Sequence, residues 1–228
     1  LRIDIKGTII PNDYKEVYDY FGMESTAPKD IKEAIEKAGN EPLDVYIDSG
    51  GGEIHSGSVI YTALREYKNG VNTYVVGIAA SAASVIAMAG KLLMSPTSLM
   101  MVHNVSSFAV GDYREMDKQG EILKTANNSI AAAYVQKSGM SEKEALAMMD
   151  KETWLDAKKA VDLKLADGIM FEEQQQLVAS YGNILLPLEM INKIKGVIKS
   201  QSEGASQRLA LDLEQQKINL LKLKGETK

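Results

Sequence analysis

Val71-Asn72-Thr73-Tyr74-Val75-Val76-Gly77-Ile78-Ala79-Ala80-Ser81-Ala82-Ala83-Ser84-Val85-Ile86-Ala87-Met88-Ala89 is the stretch on which the fold turns. Its first part, Val71 to Ile78, is apolar and rich in β-branched residues, which predicts a strand, and Gly77 allows a sharp turn at its end. Its last part, Ala82 to Ala89, is apolar on every face and predicts a helix buried in a core. Ser81 stands at the junction. A hydroxyl there lies beside backbone N–H groups that lack intrahelical partners and can stabilise an oxyanion. Taken alone, the position equally suits a serine that only caps a helix.

Upstream, Leu43, Val45 and Ile47 alternate with Asp44, Tyr46 and Asp48, the period of a strand that ends in Ser49-Gly50-Gly51-Gly52. From Glu53 to Tyr67 the spacing becomes helical, with Ile60, Leu64 and Tyr67 on one face, until Asn69-Gly70 breaks it. Two consecutive strand–turn–helix units imply right-handed crossovers and a parallel sheet. Ligands of such sheets gather at the carboxyl ends of the strands. The glycine turn and Ser81 are therefore expected to be neighbours in space. Ile3, Ile5 and Ile9-Ile10 around Gly7 predict a first strand and turn, and Ala27 to Gly39 a helix.

Downstream, Ser98 to Val102 predicts a strand ending at His103, where a loop leads to the surface. A long helix follows, with Met116, Leu123, Ile130 and Tyr134 facing one way, and Ser138-Gly139 stops it. Ser141-Glu142-Lys143-Glu144 has the pattern of a capping box and opens a helix to about Met149. Asp156 can cap a short helix ending near Leu165, before Asp167-Gly168 turns into Ile169-Met170-Phe171. Beyond Gln174-Gln175-Gln176 the regular spacing gives way, although Leu209, Leu213, Ile218 and Leu220-Leu221 suggest a terminal amphipathic helix. The expected organisation is a domain over 1–172 and an appendage over 173–228, partly helical or mobile.

The 228 residues are 45% hydrophobic and 25% charged, enough for a sizeable core. A net charge of −5 leaves no basic field for nucleic acid. The absence of cysteine excludes disulfides, thiolate catalysis and cysteine-based zinc sites. His55 and His103 are the two histidines, in no metal-ligand spacing, so no metal is expected. The triple glycine lacks the Gly-Lys-Ser/Thr of a phosphate loop. No apolar run is long enough to span a bilayer and no signal-peptide pattern opens the chain, so no membrane partner is expected and the setting is read as cytoplasmic.

Three ordered segments resemble the Clp protease family of self-compartmentalising serine peptidases. Ile47-Asp48-Ser49-Gly50-Gly51-Gly52-Glu53-Ile54 is similar to that family's strand and glycine turn, usually Asn-Ser-Pro-Gly-Gly. Gly77-Ile78-Ala79-Ala80-Ser81-Ala82-Ala83 through Ala89-Gly90 resembles its nucleophile segment, and Leu99-Met100-Met101-Val102-His103-Asn104 the strand that delivers the catalytic histidine. The likeness continues through Trp154-Leu155-Asp156-Ala157 and Leu165-Ala166-Asp167-Gly168-Ile169, and spans roughly residues 3 to 172. The basic stretch before the histidine strand is abbreviated to Lys91-Leu92-Leu93. That abbreviation and Glu152-Thr153-Trp154 resemble the phage-type branch, known as head maturation proteases.

The resemblance implies an α/β fold, the ClpP/crotonase-like arrangement of repeated β-β-α or β-α units on a parallel sheet. It also implies a protruding helix, about Tyr113 to Lys137, that reaches another ring of subunits; the C-terminal helical appendage lies outside the likeness. It makes Ser81 the nucleophile, His103 its base and then its acid, and the backbone N–H groups of Gly52 and Ala82 the oxyanion hole. Gly51 would bind substrate. The family's third triad member falls on Glu152, with Asp150 as the alternative. No cofactor is implied. Partners would be a polypeptide substrate and further copies in a ring-forming homo-oligomer; in the phage setting, the host cytoplasm or prohead, they would include scaffold or capsid proteins. Whether an ATP-dependent unfoldase docks is left open.

Two rival readings are a non-enzymatic assembly protein with a protease-like fold and an acyl-CoA enzyme of the related crotonase type. The ordered Ser81/His103 pair speaks against the second. Other residues are expected to be structural: His55 as a solvated helix-start residue, Ser84 as small-residue packing, and Ser49 as a support for the glycine turn. Lys91 is poorly positioned for a Ser–Lys dyad.

Overall fold

Alternation builds the sheet. In β3 (Leu43–Gly52), Leu43, Val45, Ile47 and Ser49 are buried while Asp48 and Gly50 are exposed. A computed structural model describes residues 1–172, which lie in the compact unit Leu1–Glu173; the appendage expected over 173–228 falls outside the described residues. β1 (Arg2–Ile9) buries Ile3, Ile5 and Ile9 by the same period. The turn expected at Gly7 is instead an irregularity between Lys6 and Thr8 within one continuous strand. A single turn at Asn12–Tyr14, helix α1 (Lys15–Tyr20) and the two-residue strand β2 (Ser25–Thr26) come next, none of them signalled by spacing.

Helix α2 (Pro28–Ala38) starts with proline at its first position, and the Asp30 carboxylate accepts from the Ala27 N–H at 2.9 Å. After β3, α3 (Ile54–Glu66) is capped by Glu53, and it leads to β4 (Val71–Ala80) and α4 (Ala82–Ala87). Strands β5 (Lys91–Met94) and β6 (Leu99–Val102) precede the long α5 (Tyr113–Ser138). Asp112 and Glu115 cap α5 reciprocally, and Gly139 ends it in the left-handed conformation. Ser141 and Glu144 form the expected capping box of α6 (Glu142–Asp150). Then come β7 (Thr153–Asp156), α7 (Ala157–Asp162), capped by Asp156, and β8 (Gly168–Ile169).

The strands run in the order β2-β1-β3-β4-β5-β8, and every pair along this path is parallel. At β4 the sheet forks. Asn72 to Val75 pair with β5, while Ile78 to Ala80 pair with β6. β7 closes on β6 in antiparallel register, Met101 opposite Trp154 and Val102 opposite Thr153, so the expected parallel sheet carries one antiparallel edge. The fork has a consequence for chemistry: it brings the ends of β3, β4 and β6 to one place. Helix α4, with all 6 residues buried, packs behind them against β3, β4, α3 and α5. Burying Ile86 and its neighbours there is worth about 1.5–3 kcal/mol per large side chain, which holds the turn at Ser81 against the sheet. No helix among the described residues is long and apolar enough to cross a membrane.

Candidate active site

The glycine turn is shaped by Ser49, as its expected supporting role requires. Its hydroxyl donates to the Gly7 carbonyl at 2.6 Å and accepts from the Gly51 N–H at 3.1 Å. Gly51 and Gly52 have φ of 94° and 151°, values that side chains with a Cβ rarely adopt. A Cβ on Gly51 would sit 2.6 Å from the Ala80 carbonyl oxygen and 2.7 Å from the Ser81 Cβ. One on Gly52 would overlap the Ile9 carbonyl. The glycines therefore let β3 lie directly against the turn at Ser81, and the two strand ends are neighbours.

Ser81 itself has φ 54° and ψ −126°, a strained conformation for a residue with a side chain, costing of the order of 1–3 kcal/mol. Both ends of its backbone are held. Its N–H donates to the Met101 carbonyl of β6 at 3.0 Å. Its carbonyl accepts from the Ser84 N–H at 3.0 Å and from the Ser84 hydroxyl at 2.6 Å. Ser84 is completely buried, and its Oγ lies 2.8 Å from the Tyr134 Oη of α5. Burial pushes the Tyr134 hydroxyl up to about 12, against a smaller downward pull from Ser84. It stays protonated and able to donate. Small-residue packing, the role expected of Ser84, thus describes only part of what it does. No local pattern in the sequence signals a pair 50 positions apart.

His103 follows directly on β6, half-buried, and its Nε2 lies 2.8 Å from the Ser81 Oγ. Its Nδ1 has no hydrogen-bond partner among the described residues. The two candidate carboxylates are engaged elsewhere. Glu152 is exposed, with φ 48°, and its Oε1 accepts from the Trp154 indole N–H at 3.3 Å. Asp150 accepts from the Asn104 side-chain amide at 2.8 Å. Neither is hydrogen-bonded to His103. No spacing in the sequence signals a role for Asn104, whose Oδ1 is buried without a hydrogen-bond partner among the described residues. The loop after it is tied to α5, where the Asn127 side chain accepts from the Val105 N–H at 2.8 Å.

A cleft of about 350 Å³ opens over these groups, and Gly52, Ser81 and His103 line it together with Leu123, Ile130 and Tyr134. Ala82, whose backbone N–H begins α4, is buried just behind Ser81. His55 is exposed at the rim, next to the Glu53 cap. Burial raises the Glu53 carboxyl, but hydrogen bonds from the Ser56 hydroxyl and the His55 and Ser56 N–H groups together hold it below the usual carboxylate range. Lys91 is exposed at the start of β5 and does not line the cleft. Among the described residues no group of three or more histidine or carboxylate side chains could hold a metal ion. The arrangement can move a proton from a serine hydroxyl to an imidazole and offers an apolar wall to a substrate side chain.

Comparison with known proteins adds a second line of observation. A family model described as Clp protease matches residues 33–173. The chain is 29% identical over 164 residues to ATP-dependent Clp protease proteolytic subunit 1 of Chlamydia abortus, covering 66% of this chain and 85% of the relative. The subunit of the same name in Chlamydia trachomatis serovar D has the same identity over the same length. The ATP-dependent Clp protease proteolytic subunit of Pleurastrum terricola is 31% identical over 132 residues, covering 57% of this chain and 67% of the relative.

Proposed function

This chain belongs to the Clp protease family, and on that premise we propose that it is a serine endopeptidase whose nucleophile is Ser81. One observation carries the reading: the Ser81 hydroxyl lies 2.8 Å from His103 Nε2, at the meeting point of three strand ends. His103 takes the serine proton as Oγ attacks the substrate carbonyl, then returns it to the leaving amine while the acyl group stays on Ser81. Water enters, His103 deprotonates it, and the acyl-enzyme is hydrolysed. The N–H groups of Gly52 and Ala82 bind the oxyanion in each tetrahedral intermediate, each such donor typically contributing about 3 kcal/mol. Gly51 lets the substrate backbone approach. The apolar side chains that line the cleft, Ile122, Leu123 and Ile130 among them, take a substrate side chain.

Glu152 is the proposed third member. The β6–β7 register ends with Val102 opposite Thr153, so His103 and Glu152 each lie one residue beyond the last pair, which supports the assignment. Its carboxylate has to leave the Trp154 indole to reach Nδ1, while Asp150 is bound to Asn104. The active form is a homo-oligomer, by analogy with the family, and its substrates are polypeptides. The short Lys91-Leu92-Leu93 segment and Glu152-Thr153-Trp154 favour the narrower phage-type reading, with scaffold or capsid-precursor segments as substrates. Cleavage of such precursors in preference to an unrelated unfolded protein would support that narrower reading, and the reverse preference would remove it.

The test of the activity is labelling with a fluorophosphonate probe, wild type beside Ser81→Ala and His103→Ala, at several protein concentrations. Labelling at Ser81 that is lost in both variants is the expected result, and a rise with concentration ties activation to assembly. An unlabelled oligomer would instead favour a non-enzymatic assembly protein.

A further inference from the structure

Ser81 and Ala82 share one peptide unit, and a peptide unit is rigid and planar. Whatever fixes the Ser81 carbonyl oxygen therefore also fixes the direction of the Ala82 N–H, which points the opposite way from the same plane. Two hydroxyls reach that oxygen in series. Each hydroxyl has a single proton. Since Ser84 spends its proton on the Ser81 carbonyl at 2.6 Å, the 2.8 Å contact between Ser84 and Tyr134 must be donated by Tyr134. The relay runs from Tyr134 Oη–H to Ser84 Oγ, and from Ser84 Oγ–H to the Ser81 carbonyl. Its residues are shut away from water, Tyr134 at 1% exposure and Ser84 at 0%. Solvent cannot substitute for a missing member.

We propose that Tyr134 and Ser84 are positioning residues that aim the Ala82 N–H at the substrate oxyanion by locking the Ser81–Ala82 peptide. The inference rests on the reading of Ser81 as the nucleophile. It assigns Tyr134 two separable parts: the residue lines the cleft, and its hydroxyl acts only through Ser84. Tyr134→Phe removes the hydroxyl and keeps the ring. Ser84 then still reaches the Ser81 carbonyl, but its hydroxyl has lost the donor that holds it; in Ser84→Ala the plane is held by backbone bonds alone, the Ser84 N–H at 3.0 Å and a long 3.4 Å contact from the Val85 N–H. An oxyanion donor matters in the transition state and not in the bound ground state, so its misalignment should slow chemistry without weakening binding.

The test is saturation kinetics of fluorophosphonate labelling on the full chain for wild type, Tyr134→Phe, Ser84→Ala and the double variant, with His103→Ala as reference and thermal melting as a check on folding. Tyr134→Phe is expected to lower the maximal labelling rate about tenfold while the half-saturating probe concentration stays within twofold. Ser84→Ala should lose at least as much, and the double variant no more than Ser84→Ala, because the tyrosine acts through the serine. A maximal rate for Tyr134→Phe equal to wild type, or losses that multiply in the double variant, would overturn the relay while leaving the nucleophile intact. An unlabelled wild type, or undiminished labelling of His103→Ala, would instead overturn the reading of Ser81 and the relay with it.

Discussion

Replacing Gly51 by alanine tests the contact between the glycine turn and Ser81 most directly. The added Cβ would lie 2.6 Å from the Ala80 carbonyl oxygen, 2.7 Å from the Ser81 Cβ and 3.0 Å from the Ala82 nitrogen. Carbon atoms in good contact sit at about 3.5–4.0 Å, so Ser81 and the turn must separate by roughly 1 Å. Two costs to stability add. Holding alanine at φ 94° costs about 1–3 kcal/mol, and overpacking against backbone about 1–3 kcal/mol more. For a domain of this size that corresponds to a fall in melting temperature of about 5–15 °C. A displacement of roughly 1 Å at a reacting group lowers rate about 10²-fold. Melting and fluorophosphonate labelling rate are measured side by side, with Gly50→Ala as control, since a Cβ there meets nothing within 4 Å. If Gly51→Ala melts and labels like Gly50→Ala, the steric argument is wrong, and the turn does not press on Ser81.

Other outcomes can be checked with the same tools. If Glu152 orients His103 as proposed, Glu152→Gln should lower the labelling rate by about 10²-fold or more, whereas Asp150→Asn should stay within about threefold; the opposite pattern would reassign the acid to Asp150. Because the folded Tyr134 hydroxyl is raised from 10.0 to about 12, the unfolded chain loses its proton first, so stability is full below pH 10 and falls as pH rises toward 12. The loss approaches roughly 2–3 kcal/mol, and alkaline melting curves of Tyr134→Phe should lack that component of the slope. Glu53→Ala removes the acceptor for two N–H groups of α3 and should cost about 1 kcal/mol near neutral pH. With the folded Glu53 carboxyl lowered, its contribution is present above the ordinary glutamate range and is lost as pH falls through the folded value; a variant whose acid melting profile superimposes on wild type would contradict this.

How far the sequence determines this protein follows from which forces are local. Period-two and helical spacing report which face of an element meets the core, so β3, β4, α2, α3 and α5 are legible in it, as are the caps at Ser141 and Asp156. The order of the glycine turn, Ser81 and His103 together with the carboxyl-end rule makes their convergence an expectation before any coordinates. Strands β5 and β7 span 4 residues each, too few for a period to emerge, and they exist as strands because β4 and β6 supply their partners. The antiparallel closure of β7 is likewise a property of the pairing, and with it the strand that carries Trp154 and leads back to Glu152. Ser84 and Tyr134 look like packing residues in the sequence, because a hydrogen bond between positions 50 apart leaves no periodic trace. Only the tertiary structure, by burying both hydroxyls where water cannot compete, decides that they hold the carbonyl of Ser81.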